Sequence, residues 1–242
     1  MLFRSVRTGD SFWYYSQLFR IPLQLIIESN RNINPQTLQQ GQRIQIPAYV
    51  AQNYQIKSGD SLWSIAMRRN LPLDTLFLIN QTLNPNQLQI GQTIQVPLRI
   101  TWRLVNGKQN YNYEIMMNDI QRLQTVYPFL QVSSIGSSVL NRSIPEVLIG
   151  IGDKRVAYNG SFHANEWITT PTIMTFLNDY ALSLTNQTTI RGLITTPLYE
   201  QTFLSIVPMV NPDGVNLVLT GPPELEPYRS NVIEWNNNSL DF

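Results

Sequence analysis

The residue types in this chain that could do chemistry are concentrated in one stretch, Asn159-Gly160-Ser161-Phe162-His163-Ala164-Asn165-Glu166-Trp167-Ile168-Thr169-Thr170. His163 is the only histidine in 242 residues, and there is no cysteine. Any metal ion must therefore be held by histidine, aspartate or glutamate, and no disulfide can form. An imidazole and a carboxylate three positions apart can converge on one ion if a tight connection separates them. A carboxylate at a helix start is also favoured by the helix dipole. His-x-x-Glu alone does not decide the matter, because a lone histidine beside apolar Phe162 equally suits a structural role.

The elements around this stretch must position the pair. Residues 111–127 carry apolar side chains at helical spacing (Ile115 or Met116, Ile120, Leu123, Tyr127) and predict an amphipathic helix. Short apolar runs at 131–138, 145–152 and 155–162 predict strands, with Gly152-Asp153 suggesting a hairpin between the last two. Residues 166–184 read as a long helix containing Pro171, 203–210 as a buried strand, and Asn211-Pro212-Asp213-Gly214 as a tight turn. Alternating strands and helices of this kind indicate an α/β sandwich with a mixed sheet. His163 would then leave a strand and Glu166 enter the next helix, at the sheet edge where open α/β folds place their sites.

Ahead of this unit the chain repeats itself. Residues 6–47 recur without a gap as 56–97. Gly9-Asp10-Ser11 matches Gly59-Asp60-Ser61, Trp13 matches Trp63, Asn34-Pro35 matches Asn84-Pro85, and Ile44-Gln45 with Pro47 matches Ile94-Gln95 with Pro97. Each copy reads as a strand, a turn whose Asp or Ser caps a helix, a second helix opened by Pro22 or Pro72, and a closing strand stopped by the final proline. The order is βααβ. A small domain needs a large apolar anchor, so Trp13 and Trp63 are read as core.

Composition excludes several functions. A net charge of +1, with Lys and Arg scattered, provides no field to gather nucleic acid or anionic lipid. No apolar run approaches the roughly 18 to 20 residues that span a bilayer. Residues 1–10 lack the apolar core of a secretory signal. Neither a nucleic-acid partner nor a membrane is expected.

The run Gly59-Asp60-Ser61-Leu62-Trp63-Ser64-Ile65-Ala66, with Gly91-Gln92-Thr93-Ile94-Gln95-Val96-Pro97 closing the unit, resembles the LysM domain. The resemblance implies binding of N-acetylglucosamine-containing glycans, peptidoglycan or chitin, in a shallow groove between the first turn and the loop after the second helix. Carried across, the groove residues are Gly9, Asp10, Ser11 and Phe12 facing Asn30, Arg31, Asn32 and Ile33. In the second copy they are Gly59, Asp60, Ser61 and Leu62 facing Asn80, Gln81, Thr82 and Leu83. The first copy departs from the pattern at Trp13-Tyr14-Tyr15 and at Arg31. Weak sites in tandem gain from raised effective concentration on a repetitive polymer.

His163-Ala164-Asn165-Glu166-Trp167-Ile168-Thr169, followed by Ser205-Ile206-Val207-Pro208-Met209-Val210-Asn211-Pro212-Asp213-Gly214, is similar to the zinc carboxypeptidase family. Within it the chain looks most like the γ-D-glutamyl-diamino acid endopeptidases of spore-forming bacteria, which carry the same two-LysM front end. The resemblance implies Zn2+ bound by His163 and Glu166, an open position for water, and muropeptide substrates cut at the γ-D-glutamyl to diamino acid bond. It also implies a bacterial, wall-associated or mother-cell and spore setting.

The expected organisation is two small α+β repeats at 1–49 and 53–98, followed at 108–242 by the front part of an α/β mixed-sheet domain. The family's third zinc ligand (a second histidine), catalytic glutamate and substrate-gripping arginine cannot be located. Only residues 167–242 follow Glu166, and none is histidine. The chain is therefore read as C-terminally truncated, inactive alone, and exposing an unpaired apolar edge at 203–210. The competing reading is a non-catalytic glycan-binding protein that keeps a peptidase remnant.

Overall fold

The computed structural model describes residues 2–237. It divides into two compact units: Met1–Trp102 with Thr125–Phe129 and Leu184–Thr188, and Arg103–Gln124 with Leu130–Ser183 and Thr189–Phe242. The outermost residues of the sequence-based ranges, 1 and 238–242, lie outside the described residues.

The first unit contains the two repeats, each βααβ as expected. Repeat 1 is β1 (Leu2–Ser5), α1 (Phe12–Phe19), α2 (Leu23–Glu28) and β2 (Arg43–Ile46). Repeat 2 is β3 (Tyr49–Gln55), α3 (Leu62–Arg68), α4 (Leu73–Ile79) and β4 (Thr93–Arg99). In each copy the two strands form an antiparallel pair, β1 with β2 and β3 with β4.

The Gly-Asp-Ser turns divide their labour between the last two residues. Ser11 caps α1 by accepting from the Tyr14 N–H at 3.1 Å, and Ser61 caps α3 by accepting from the Ser64 N–H at 3.1 Å. The preceding aspartates close the turn instead. Asp10 accepts from the Arg7 N–H at 2.9 Å and Asp60 from the Lys57 N–H at 2.8 Å. Gly9 and Gly59 sit at φ of 84° and 80°, in the left-handed region that favours glycine.

Two expectations for the repeats are corrected. Trp13 and Trp63 are not core: each is 62% exposed. They stand second in their helices, one residue past the inward face formed by Phe12, Tyr15, Ser16 and Phe19 in α1 and by Leu62, Ile65 and Ala66 in α3. Leu76, Ile94 and Val96 complete the core of repeat 2. Pro97 does not stop its strand either, since β4 runs on to Arg99 with Pro97 opposite Ala51. Every strand of a two-stranded sheet is an edge, where a missing N–H can face outward.

In the second unit, helix α5 (Tyr113–Val126) runs from this unit into the segment grouped with the repeats. It precedes β5 (Gln131–Ser137), β6 (Ser143–Gly150) and β7 (Lys154–Asn159). Helix α6 (Thr169–Asn186), the short hairpin β8 (Thr189–Ile190) and β9 (Leu193–Ile194), helix α7 (Thr196–Gln201) and strand β10 (Thr202–Val207) follow. Helices α8 (Pro212–Thr220) and α9 (Tyr228–Asn237) close the described chain. The main sheet has the order β5-β6-β10-β7, antiparallel except for the parallel pair β10 and β7, so it is mixed as expected. Met116, Ile120 and Leu123 of α5, Val147 and Ile149 of β6, Met174 and Leu177 of α6, and Ile206 of β10 are all buried.

This topology revises three local readings. Residues 152–153 do not make a hairpin, because β10 lies between β6 and β7; a Cβ at Gly152 would come within 1.9 Å of the Gln201 carbonyl carbon, so only glycine lets the connection pass. The strand at 202–207 is central rather than an apolar edge, and β5 and β7 are the edges among the described strands. Asn211-Pro212-Asp213-Gly214 opens α8 instead of closing a turn: Asn211 caps the helix by accepting from the Gly214 N–H at 2.9 Å, and Pro212 takes the first helical position.

Candidate functional site

His163 and Glu166 lie just beyond the C-terminal end of β7. The parallel strands β7 and β10 end side by side there, with Asn159 opposite Val207. The pairing carries on past the strands, since Gly160 N–H donates to the Val207 carbonyl at 3.1 Å and Val210 N–H to the Gly160 carbonyl at 2.9 Å. The chain then turns through Ser161, a non-glycine at φ 49°. Glu166 does not enter a long helix. It ends a short 3-10 turn, Ala164–Glu166, and α6 starts at Thr169, which leaves Pro171 in the first turn where its missing N–H costs nothing.

A buried hydroxyl network holds this turn. Ser161 N–H donates to Thr169 Oγ1 at 2.6 Å, and that hydroxyl donates to the Glu166 carbonyl at 2.8 Å. Ser161 Oγ lies 2.6 Å from Thr170 Oγ1, which donates to the Pro208 carbonyl at 2.6 Å. Ser161 is 1% exposed and Thr170 fully buried. Unpaired, these groups would cost on the order of 1–3 kcal/mol each, so the network opposes distortion of the loop. Ser161, Thr169 and Thr170 all stand inside the motif, but residue type alone does not mark them as positioning residues.

The outcome is convergence. His163 Nδ1 lies 3.0 Å from Glu166 Oε1, and the His163 N–H donates to Glu166 Oε2 at 3.4 Å. The His163 ring and backbone N–H together hold the Glu166 carboxyl below its ordinary range. Both side chains are largely exposed and neither is spent on the core. One imidazole nitrogen and one carboxylate oxygen within reach of a common point fit two of the donors that zinc takes. Among the described residues no group of three His, Cys, Asp or Glu side chains gathers in a way that could hold a metal ion.

In the repeats, the residues expected to line glycan grooves prove to be heavily used by the fold. Phe12, Leu62, Asn30 and Ile33 are buried. Asn30 donates to the carbonyls of Ile26 and Gln45 and accepts from the Gln45 N–H; Asn80 repeats all three bonds with Leu76 and Gln95. These two amides tie the loop after the second helix to the closing strand. Asp10 and Asp60 also accept from the hydroxyls of Tyr15 and Tyr54, at 2.6 and 2.8 Å. The Tyr54 and Arg68 contacts and, above all, the Lys57 N–H hold the Asp60 carboxyl down to about 2.

The groove residues with exposed side chains are therefore few. Arg31 is one, and it is anchored by Glu28 at 2.7 Å and by the Phe129 carbonyl at 3.2 Å. Asn32 and Thr82 are exposed, while Gln81 donates to the Ser5 carbonyl at 2.8 Å and Leu83 packs on the core of repeat 2.

Comparison with known proteins agrees with this layout. Residues 116–239 match the family model described as zinc carboxypeptidase, and residues 5–47 and 54–97 each match that of the LysM domain. The chain is 73% identical over 237 residues, 98% of its length, to gamma-D-glutamyl-L-diamino acid endopeptidase 1 of Lysinibacillus sphaericus, of which it spans 60%. It is 36% identical over 160 residues to the uncharacterized protein YqgT of Bacillus subtilis strain 168, covering 60% of this chain and 42% of that one. Among solved structures, the LysM domain of a Volvox carteri chitinase aligns over its full length with 20% of this chain, at 41% identity and a TM-score of 0.20. With half its length matched by that family model and its imidazole and carboxylate brought together at the sheet end, the chain belongs to the zinc carboxypeptidase family, with two LysM domains ahead of the matched region.

Proposed function

We propose that this chain is the wall-recognising and partial zinc-binding front of a peptidoglycan hydrolase that cuts γ-D-glutamyl to diamino acid bonds in muropeptide stems. The observation that carries the reading is the His163–Glu166 pair, 3.0 Å apart on a hydroxyl-braced loop, in a chain 73% identical to an endopeptidase of that name. The LysM pair brings the unit to N-acetylglucosamine-containing glycan, and two copies raise the local concentration of each other's ligand. His163 and Glu166 are the residues that would hold zinc. Zinc, when bound, supplies Lewis-acid polarisation of a peptide carbonyl and a more acidic water. The residues' own part is to present one nitrogen and one oxygen at a fixed separation, with the Glu166 carboxylate ionised and Ser161, Thr169 and Thr170 restraining the turn.

Two donors leave the ion exchangeable, and among the described residues no third His, Cys, Asp or Glu side chain gathers with the pair. The 242-residue chain alone is thus expected to sediment with purified peptidoglycan, to take up zinc weakly, and to release no diaminopimelate-containing fragments. Glu166→Ala should remove the zinc uptake and leave sedimentation intact. Zinc-dependent release of such fragments by the unaided chain would overturn the division of labour. Failure to sediment would remove the wall-directed reading. That only two such donors meet among the described residues favours one second reading, a glycan-binding protein whose catalytic motif is a remnant. It predicts wall binding with zinc uptake no greater than that of Glu166→Ala.

A further inference from the structure

The two repeats are packed on one another, and a cleft between them holds charge that neither repeat neutralises. Arg7 of repeat 1 grips Asp74 of repeat 2 through two nitrogens, at 2.9 and 2.7 Å, and Tyr14 donates to the same carboxylate. Elsewhere along the contact lies a cleft of about 360 Å³, within the range of small-ligand sites, walled by Arg20 of repeat 1 and by Arg69 and Arg99 of repeat 2. Leu18, Leu71 and Pro97 add apolar wall, and no carboxylate stands among the described lining residues. None of the residues expected to line the glycan grooves borders it.

Two of the three arginines are engaged, but with neutral groups. Arg99 donates to the Arg20 carbonyl at 3.2 Å and to the Thr185 carbonyl at 2.5 Å, and lies over the Tyr49 ring. Arg69 donates to Gln52 Oε1 at 3.0 Å and lies over the Tyr54 ring. Among the described residues the Arg20 side chain makes neither a hydrogen bond nor an ion pair. Burial pushes the Tyr49 hydroxyl up while Arg99 and Arg20 both pull it down, which places these two cations around one point. The carboxylates that could compensate the cleft are committed elsewhere. Residues 1–102 contain four, of which Asp10 and Asp74 pair with Arg7, Glu28 with Arg31 and Asp60 with Arg68. Guanidinium groups do not lose their proton in proteins, so the cleft holds three positive charges that repel one another.

We infer that this cleft binds a carboxylate of an aliphatic peptide, the stem of peptidoglycan, so that the paired repeats read peptide as well as sugar. The inference rests on the wall-directed reading above and deepens it. A guanidinium fork matches a carboxylate, and apolar walls suit the methyl and methylene groups of alanine and a diamino acid. A neutral glycan would leave the three charges uncompensated. A phosphate polymer would satisfy them but leave the apolar walls unmatched.

The test titrates the intact 242-residue chain by calorimetry with four ligands: a stem peptide with free carboxylates, the same peptide with its carboxyls amidated, a glycerol phosphate oligomer and a chitooligosaccharide. The free stem is expected to bind about fivefold tighter than the amidated one, the scale of one exposed ion pair, and to weaken as salt is raised. Arg20→Gln and Arg69→Gln should each reduce that preference, and together remove it, while chitooligosaccharide binding and circular dichroism stay unchanged. Arg99 is left in place because it holds two backbone carbonyls. Equal binding of the two stems, tighter binding of the glycerol phosphate oligomer, or a preference that survives the double substitution overturns the inference while sugar binding stands. No binding of any ligand, chitooligosaccharide included, defeats the wall-directed reading as well.

Discussion

Repeat 1 and repeat 2 share a framework almost atom for atom, yet they face different surroundings. The serine cap, the aspartate that closes the turn, and the asparagine that binds the last turn of the second helix to the closing strand recur with nearly equal distances. What differs is outward. The loop after α2 carries Arg31 and meets the segment 125–129, whereas the loop after α4 borders an open groove. Duplication has conserved the side chains that hold the backbone and released those that touch something else. The difference teaches that the repeated motif is chiefly a folding device, and that the positions it does not specify are the ones whose surroundings diverge.

The comparison can be broken most directly at the core. Phe12 and Leu62 hold equivalent positions and are 2% and 3% exposed. Truncating either removes a buried anchor and leaves a cavity, so Phe12→Ala and Leu62→Ala should each cost about 3–4 kcal/mol of unfolding free energy. Denaturant titration of the two variants checks this. If one is neutral while the other is severe, the two frameworks are not equivalent.

Much of this was legible in the residue order, and the misreadings have physical causes. An ungapped offset of fifty makes a βααβ unit readable twice over, and local signals such as Ser61 before a helix or Gly59 in a turn act within a few residues. For the tryptophans, side-chain size points inward whereas helical phase points outward, and phase decides. The signal was present in the spacing, since positions 12, 15, 16 and 19 share one helical face and 13 does not. The hairpin at Gly152-Asp153 failed for a non-local reason: β10, far along the chain, inserts between strands that are neighbours in sequence. The short connection from His163 to Glu166 could be anticipated from residue types, but not the hydroxyl network beneath it, because Thr170 answers to the distant Pro208 carbonyl.

A second way to sharpen the comparison uses acid. In repeat 2 the Asp60 carboxyl is held down to about 2 from an ordinary 3.8, first by the Lys57 N–H and then by Arg68 and Tyr54 against the opposing effect of desolvation. A depressed carboxyl stabilises the fold fully above its ordinary value, and that contribution is lost as pH falls through the folded one. Repeat 2 should thus weaken between about pH 4 and pH 2, and Asp60→Asn should be less stable at neutrality but nearly flat across that window. Amide NMR signals of 54–96 followed during acid titration measure both slopes. Identical acid profiles for the variant and the unaltered chain would show that this carboxylate is not what closes the turn.

The smallest expected effect is the most pointed. Trp13 and Trp63 are the largest apolar side chains in their repeats, and if size decided burial, replacing them would rival the loss of Phe12 or Leu62. Both are instead 62% exposed, each one position past the inward face of its helix. Trp13→Ala and Trp63→Ala should therefore each change stability by no more than about 0.5 kcal/mol, the range typical of surface substitutions. The contrast with the adjacent residue isolates phase from composition, since Phe12 and Trp13 share a helix turn, a capping serine and an aromatic character. A cost near that of Phe12→Ala would mean the indole packs inward in solution. A negligible cost in both repeats would leave two matched apolar surfaces that the fold does not need, kept at the same place beside the same turn.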